Sequence, residues 1–162
     1  VIAQALALAE KGIADKKIQV HTCFSDVVPL LEIDVAMVEE AFLNLILNAV
    51  DAMGEGGVMT FLVEMADEDG PMLEVEITDD GCGIDEQDRI HLFNPFFTRK
   101  KFGTGLGLTQ VKKIIDLHQG IVDIFSTKGE GTRVRVRFPL FADTSSLHAA
   151  DGNGGALNRG EG

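Results

Sequence analysis

The chain has 162 residues, a net charge of -12 and 25% charged residues, which is ordinary for one globular domain apart from the acidity. The acidity argues against a nucleic-acid partner, because proteins that neutralise phosphates present a basic stripe. No apolar run approaches the roughly 20 residues of a membrane-spanning helix, and the N-terminus lacks a signal-peptide pattern. Cys23 and Cys82 have no Cys or His neighbours at metal-ligand spacing. We therefore expect a cytoplasmic domain with no zinc site and no direct membrane contact.

Hydrophobic periodicity divides the chain into helices and strands up to about residue 140. Helices are predicted over 1–11 with a stop at Gly12, over 34–53 with Asp34 as N-cap, over 85–92 with Asp85 as N-cap, and over 107–117. Strands are predicted over 18–24, 58–65, 72–78, 121–126 and 132–138. Paired strands beside helices predict an α+β fold, a two-layer sandwich in which helices cover one face of a mixed sheet.

Three segments are predicted from composition and pattern. Residues 1–12 are expected to be the end of an upstream helix or linker, and residues 13–141 to form the folded domain. From residue 142 onward Ala, Gly, Asp, Asn and Ser dominate and no apolar periodicity remains, so 142–162 is predicted to be a flexible C-terminal tail.

The predicted helix over 34–53 is apolar nearly all round, yet one narrow stripe of it is polar. The stripe contains Glu40, Asn44, Asn48 and Asp51. Such groups can satisfy neighbouring backbone inside a core, since buried amides must be paired. Their alignment on one line favours a shared polar partner instead, and a hydrated Mg²⁺ with a triphosphate is one such partner.

Two glycine-rich segments lie near the middle of the chain. Residues 78–85 (TDDGCGID) follow a predicted strand, and a carboxylate beside the glycines can accept a hydrogen bond from the exocyclic amine of a base; a plain Asp-Gly turn is the alternative. Residues 103–108 (GTGLGL) open a helix and could present backbone N–H groups to phosphate. They match neither the Rossmann fingerprint nor a P-loop. The basic run 99–101 lies just before them and favours the phosphate interpretation.

In this order, the segments resemble the boxes of the GHKL superfamily of ATPases and kinases, most closely the catalytic ATP-binding domain of bacterial two-component sensor histidine kinases. The resemblance covers about residues 18–140. The matching segments are 39–53 (N box), 80–83 (first glycine box), 92–100 (F box), 103–108 (second glycine box) and 129–132 (closing motif). The resemblance implies a Bergerat-type ATP-binding fold with Mg-ATP between helices and a lid, and it makes 13–141 the catalytic domain.

The resemblance also implies roles for single residues. Asp80 would bind the adenine amine, with support from Thr132, so Asp80→Asn is expected to damage adenine recognition. Asn48 would ligate Mg²⁺, Asn44 would lie along the triphosphate and Lys100 would meet phosphate, which makes these three the catalytic set. The other nucleotide-binding residues implied are Asp51, Gly81, Gly83, Ile84, Phe93, Gly103, Thr104, Gly105, Leu106, Gly107 and Leu108. Phe93, Phe96 and Phe97 would hold the lid or dock the partner, with core packing as the alternative.

The activity implied by the resemblance is transfer of the γ-phosphoryl group of Mg-ATP to a histidine on a separate dimerisation domain of the same kinase, with a response regulator downstream. Hydrolytic relatives carry a Glu one turn before the Mg²⁺-binding Asn; here Asn44 stands there, and its amide cannot accept a proton at neutral pH. None of the 4 histidines has the flanking pattern of a phosphoacceptor, and His118 is expected to be structural. The isolated domain is expected to be monomeric. An ATP hydrolase, a non-catalytic nucleotide sensor and an anti-sigma-type serine kinase stay open as alternatives.

Overall fold

A computed structural model describes residues 1–25, 29–67, 70–100 and 103–140. The elements in chain order are α1 (Ile2–Asp15), β1 (Gln19–Phe24), α2 (Val35–Ala52), β2 (Val58–Ala66), β3 (Met72–Asp79), α3 (Glu86–Arg89), α4 (Gly107–Leu117), β4 (Ile121–Thr127) and β5 (Gly131–Pro139). The predicted tail over 142–162 and Lys101 of the basic run lie outside the described residues. Within the described ranges, no helix is long and apolar enough to cross a membrane.

The strands form one mixed sheet in the order β1-β2-β3-β5-β4. β1 and β2 are parallel, and the other neighbouring pairs are antiparallel. Helix α2 contacts both β3 and β5, and it also packs against α1 and α4. This arrangement confirms the predicted α+β fold, a mixed sheet with helices layered on it.

Strand alternation decides which side chains face the helices, because successive residues of a strand point to opposite faces. On β3, Leu73, Val75 and Ile77 are buried in the core. Asp79 has the same parity, ends the strand and is only 6% exposed. The sheet therefore carries a carboxylate on its helix-covered face, at the point where the apolar core ends.

Helix α2 begins as predicted. The Asp34 side chain accepts a hydrogen bond from the Met37 N–H at 3.1 Å, which caps one of the free donors of the first turn. His118, just after α4, links the two helices: its Nε2 accepts from the Asp34 N–H at 2.9 Å and its Nδ1 donates to the Ile114 carbonyl oxygen at 2.8 Å. His118 therefore has the structural role that its position predicted.

Helix α1 differs from the prediction, because it runs through Gly12 to Asp15. Ala5 and Ala9 are buried and α1 packs along α2. A Cβ at Gly12 would lie 3.3 Å from Val50 Cγ1, so the glycine allows the two helices to approach closely. The predicted stop at Gly12 is wrong because helix packing outweighs the low helix propensity of glycine. The boundary drawn between residues 12 and 13 falls inside this helix.

Candidate functional site

A cavity of about 830 Å³ lies between α2, the sheet and the segment that precedes α4. Its volume falls within the range of small-molecule sites. One end, here called the sheet end, contains Asp79, Gly83, Ile84 and Thr132. A second group, here called the loop end, comprises Asn44, Asn48 and Asp51 of α2, Lys100, and residues 103–108 apart from Leu106.

Most of the predicted site residues line this cavity. They are Asn44, Asn48, Asp51, Gly83, Ile84, Lys100, Gly103, Thr104, Gly105, Gly107, Leu108 and Thr132. Four predicted residues do not line it, namely Asp80, Gly81, Phe93 and Leu106. The lining also contains residues outside the predicted nucleotide-binding set: Leu45, Ala49, Ala52, Ile77, Asp79, Cys82, Asp85, Asp88, Leu92, Phe97, Thr98, Arg99, Ile124 and Val134.

Asp80 was predicted to be the base-binding carboxylate, but the structure does not place it in the cavity. Its side chain is exposed, lies outside the cavity lining and accepts a hydrogen bond from the Val58 N–H at 2.9 Å. The neighbouring carboxylate of Asp79 lines the cavity instead. β3 continues one residue beyond its predicted end at Thr78, so Asp79 takes the inward orientation.

Asp79 is held by backbone donors. Its Oδ1 accepts from the Gly81 N–H at 2.9 Å, so the role of Gly81 is to position this carboxylate, not to line the cavity. Burial raises the pKa of Asp79, while the N–H groups of Gly81 and Thr132 pull it in the other direction. The sheet end thus has a nearly buried carboxylate that can still accept a hydrogen bond from a group in the cavity.

A hydroxyl network fixes the rest of the sheet end. Ser126 Oγ donates to the Gly131 carbonyl oxygen at 2.7 Å and accepts from the Ile84 N–H at 2.9 Å. Because the single Ser126 proton is used there, Thr132 must be the donor in its 3.0 Å contact with Ser126 Oγ. The Thr132 oxygen therefore keeps its lone pairs free to accept from a ligand or a water molecule. Ser126 was missed because it lies at the end of a predicted strand without any motif.

Gly83 explains why the loop after β3 can lie against the β4–β5 hairpin. Its φ is +64°, and a Cβ there would lie 2.0 Å from the Thr127 carbonyl oxygen. An L-residue would meet both a left-handed backbone and a backbone overlap. This glycine therefore permits a close approach on which the shape of the sheet end depends.

At the loop end, one ammonium group joins α2 to the segment before α4. Lys100 Nζ donates to Asn48 Oδ1 at 2.8 Å and to Asp51 Oδ2 at 2.7 Å. Asn44 donates instead to the Glu40 carbonyl oxygen, one turn earlier. Three members of the predicted polar stripe, Asn44, Asn48 and Asp51, thus line the cavity, and the oxygens of the last two contact a single cation.

The start of α4 is open toward the same end. Leu106 is the N-cap residue, and no side chain caps the first turn of this 11-residue helix. Gly107 and Leu108, which open the helix, line the cavity. A helix N-terminus with free N–H groups favours an anion, since both the donors and the helix dipole attract negative charge.

Residues 93–100 and 103–106 are held in place by a few specific contacts. Gly105 has φ +69° and a Cβ there would lie 2.4 Å from the Phe96 carbonyl carbon, while the Phe96 N–H donates to the Gly105 carbonyl oxygen. Phe96 itself is 75% exposed. The Phe93 carbonyl oxygen accepts from Thr109 Oγ1 at 3.2 Å, which ties the segment to α4. Phe93 therefore supports the loop from outside the cavity.

Two ion pairs lie beside the cavity near α3. The helix is shorter than predicted, although Asp85 caps it by accepting from the Gln87 N–H. Arg99 donates twice to the Asp88 carboxylate, at 2.9 and 2.6 Å, and this contact lowers the pKa of Asp88. Lys128 lies 2.9 Å from Asp85 and lowers its pKa in the same way. Both carboxylates are thus already paired.

The oxygen atoms at the loop end are suitable ligands for Mg²⁺. One amide oxygen and one carboxylate oxygen, from Asn48 and Asp51, contact the same cationic atom. Mg²⁺ is a hard cation that binds through one or two protein oxygens and completes its shell with water and phosphate oxygens. Within the described part of the chain there is no cluster of three or more His, Cys, Asp or Glu that could bind a metal alone. Asn48 and Asp51 would therefore supply two of the ligands of a metal ion, and water and phosphate oxygens would supply the others.

Comparisons with known proteins show the family of this chain. Residues 33–142 match the model of the histidine kinase-, DNA gyrase B- and HSP90-like ATPases. The chain belongs to this GHKL family. Its relatives include the sensor histidine kinase ZraS of Escherichia coli O157:H7, 33% identical over 140 residues, which cover 86% of this chain and 30% of that protein. Sporulation kinase A of Bacillus subtilis is 37% identical over 106 residues, 65% of this chain and 17% of that protein.

Solved structures give the same assignment. The catalytic domain of histidine kinase ThkA, in a nucleotide-free form, superposes with a TM-score of 0.72 at 30% identity, covering 85% of this chain and 89% of that one. A mycobacterial sensor histidine kinase, MprB, superposes with a TM-score of 0.74 at 26% identity, covering 85% and 91%. This GHKL domain therefore shares its fold with the catalytic domain of a histidine kinase and is similar to it in sequence, at 30% identity. It spans about a third or less of the curated relatives named here.

Proposed function

We propose that this GHKL domain binds Mg-ATP and transfers the γ-phosphoryl group to a histidine on a separate dimerisation domain of the same kinase. The observation that carries the proposal is the cavity itself. It has a buried carboxylate at the sheet end and metal-compatible oxygens with an uncapped helix N-terminus at the loop end. A base and a triphosphate need these two kinds of group at opposite ends of one molecule.

At the sheet end, Asp79 accepts a hydrogen bond from the exocyclic amine of adenine. Guanine presents a carbonyl at the equivalent position, which would face the carboxylate without a proton between the two acceptors. The Thr132 hydroxyl, oriented by Ser126, can accept a second hydrogen bond directly or through water. The proposed adenine contact thus moves from Asp80 to Asp79.

At the loop end, the cavity cannot hold a triphosphate through side-chain charge alone. Its described lining contains the carboxylates of Asp51, Asp79, Asp85 and Asp88 against the cations of Arg99 and Lys100. When bound, Mg²⁺ would offset negative charge on the phosphates and organise their oxygens. Asn48 and Asp51 would contact the metal, Asn44 would lie along the triphosphate, and the first N–H groups of α4 would bind phosphate oxygens.

The proposed chemistry is transfer rather than rapid hydrolysis. Phosphoryl transfer depends mainly on positioning and charge stabilisation. Glu40 could serve as a base for water only from within the cavity, but its Oε1 accepts from Gln110 Nε2 at 2.7 Å and Glu40 is not part of the lining. A neutral imidazole is itself nucleophilic and needs no strong base in this domain. The acceptor histidine, and the response regulator downstream, would belong to other domains or proteins, with this domain monomeric and cytoplasmic.

The test combines this domain with its cognate dimerisation domain and γ-labelled ATP. The expected product is an acid-labile, alkali-stable phosphohistidine on the added domain and none on this one, with Asn48→Ala strongly impaired. Fast release of inorganic phosphate that does not depend on the added domain would assign the hydrolase activity instead. Control reactions contain the dimerisation domain alone.

A further inference from the structure

The last turn of α2 connects the two ends of the cavity. Asp51 and Ala52, which belong to this turn, both line the cavity. The Ala52 carbonyl oxygen accepts from the Cys82 N–H at 3.0 Å, and a Cβ at Gly81 would lie 2.8 Å from that oxygen. Gly81 in turn donates to the Asp79 carboxylate. The position of this one turn therefore affects the metal-compatible oxygens and the loop that holds the buried carboxylate.

This turn needs hydrogen-bond donors from outside the helix. The last carbonyl oxygens of a helix have no partner within it, and they carry the partial negative charge of the helix dipole. The final turn of α2 (residues 49–52, AVDA) contains an aspartate and no Lys or Arg. Because the turn adds a carboxylate to the negative end of the helix, a cation from elsewhere in the fold would stabilise it.

Lys16, the residue after α1, supplies this cation. Its Nζ donates to the carbonyl oxygens of Val50 at 2.7 Å, Met53 at 2.9 Å and Asp51 at 3.4 Å. The Lys16 carbonyl oxygen also accepts from the Gly56 N–H at 2.8 Å, just beyond the helix. Lys16 is half-buried and lies outside the cavity lining. It therefore holds the end of α2 without occupying the space of a ligand.

We propose that Lys16 is a positioning residue for nucleotide binding, and that it acts by fixing the last turn of α2 so that the two ends of the cavity keep their spacing. This inference rests on the proposed function. Without the ammonium group, the carbonyl oxygens of Val50 and Met53 lose this donor, and the nucleotide itself would have to order the turn. Ordering on binding reduces affinity. Because the turn carries Asp51 and also contacts the loop that holds Asp79, the loss should appear with and without Mg²⁺.

The experiment is calorimetric titration of ADP, with Mg²⁺ or with a metal chelator, into the parent domain, Lys16→Met, Lys16→Arg and Lys17→Met. Lys16→Met should weaken ADP binding about threefold to tenfold under both conditions. Lys16→Arg should recover most of this loss, because a guanidinium group can also donate to several carbonyl oxygens. Lys17→Met is the matched control. It removes the same charge from the next residue, whose ion pair with Glu55 is exposed, and its affinity should stay within about twofold of the parent.

Hydrogen exchange separates positioning from a general loss of stability. The Cys82 amide donates to the Ala52 carbonyl oxygen, so its exchange should accelerate in Lys16→Met by a larger factor than that of the core amides of β3. Thermal melting checks that every variant is folded. If Lys16→Met does not fold, Lys16→Gln replaces it in both measurements, because glutamine keeps a neutral donor.

Four results would overturn the inference. Unchanged ADP affinity in folded Lys16→Met would show that the turn keeps its position without the ammonium group. A Lys16→Arg variant as weak as Lys16→Met would show that cationic donation is not what matters. Equal losses in Lys16→Met and Lys17→Met would assign the effect to net charge, and equal acceleration of exchange at Cys82 and in β3 would assign it to the stability of the whole domain. A parent domain that does not bind ADP would contradict the proposed function instead, and hydrogen exchange would still test whether Lys16 anchors the turn.

Discussion

The two ends of the cavity are built from different kinds of contact. The sheet end rests on backbone: Asp79 accepts from the Gly81 N–H, and Gly83 lies against the Thr127 carbonyl oxygen. The loop end depends on exposed side chains, above all the Lys100 contacts with α2. Backbone contacts within a sheet leave little freedom, whereas exposed ion pairs add about 0–1 kcal/mol and rearrange readily. A rigid sheet end and a more readily rearranged loop end follow from this difference.

The largest expected effect concerns the rigid end. Gly83→Ala should lower the free energy of unfolding by about 2–4 kcal/mol, because a Cβ meets both a left-handed backbone and the Thr127 carbonyl oxygen. Gly129→Ala is the matched control, since Gly129 has φ +85° but no heavy atom within 4 Å of its Cβ position. The control should lose only about 1–2 kcal/mol. Equal losses in urea denaturation would mean that the close approach does not matter.

A second effect separates the metal contact from the rest of the loop end. Asn48→Ala removes an amide oxygen that faces the cation position, so Mg-nucleotide affinity should fall about tenfold. The affinity measured in the presence of a metal chelator should change less than about twofold, because a metal-free nucleotide does not use this oxygen as a metal ligand. Equal losses with and without Mg²⁺ would place the Asn48 contact on the nucleotide itself.

A smaller effect tests whether the loop is independent of the core. Gly105→Ala introduces a Cβ 2.4 Å from the Phe96 carbonyl carbon, at a residue whose φ is +69°. Because this segment is exposed, its distortion should weaken nucleotide binding about threefold to tenfold while the urea midpoint stays near that of the parent. A loss of global stability as large as that of Gly83→Ala would contradict the distinction between the two ends.

The smallest expected effect is a dependence on pH. Burial raises the pKa of Asp79 above its unfolded-state value, so the folded protein holds this proton more tightly. The parent should therefore gain stability relative to Asp79→Asn as the pH falls through the folded-state pKa of Asp79, and lose that gain as the pH rises through it. Urea unfolding of both proteins from neutral to mildly acidic pH measures the difference. If the parent instead loses stability relative to the variant as the pH falls, the pKa of Asp79 is not raised by folding.

Much of this site could be predicted from the sequence, because its parts are local. The polar stripe of α2 follows from helical periodicity, and the segment 103–108 opens α4 as its glycines indicate. Asp80 was predicted to bind the base, but the carboxylate that lines the cavity belongs to the residue before it, Asp79. The alternation of Leu73, Val75 and Ile77 already assigns position 79 to the helix-covered face, but ending the strand at Thr78 hid this signal.

Other features could not be predicted because they depend on contacts that are distant in sequence. Lys100 meets Asp51 across 49 residues, and no local pattern pairs these two charges. Gly12 reads as a helix stop until the packing of α1 on α2 is known. Ser126 gains its role only when β4 and the loop after β3 come together.

The most direct test of the central claim is titration of the domain with a non-hydrolysable Mg-ATP analogue, using Asp79→Asn and Asp80→Asn as a neighbouring pair. Both variants remove one negative charge, and the two positions are adjacent. Asp79→Asn should lose about tenfold to a hundredfold in affinity, as expected for a hydrogen bond to a charged group, while Asp80→Asn should stay within about twofold of the parent. Loss of binding in Asp80→Asn alone would contradict this account and restore Asp80 as the adenine contact.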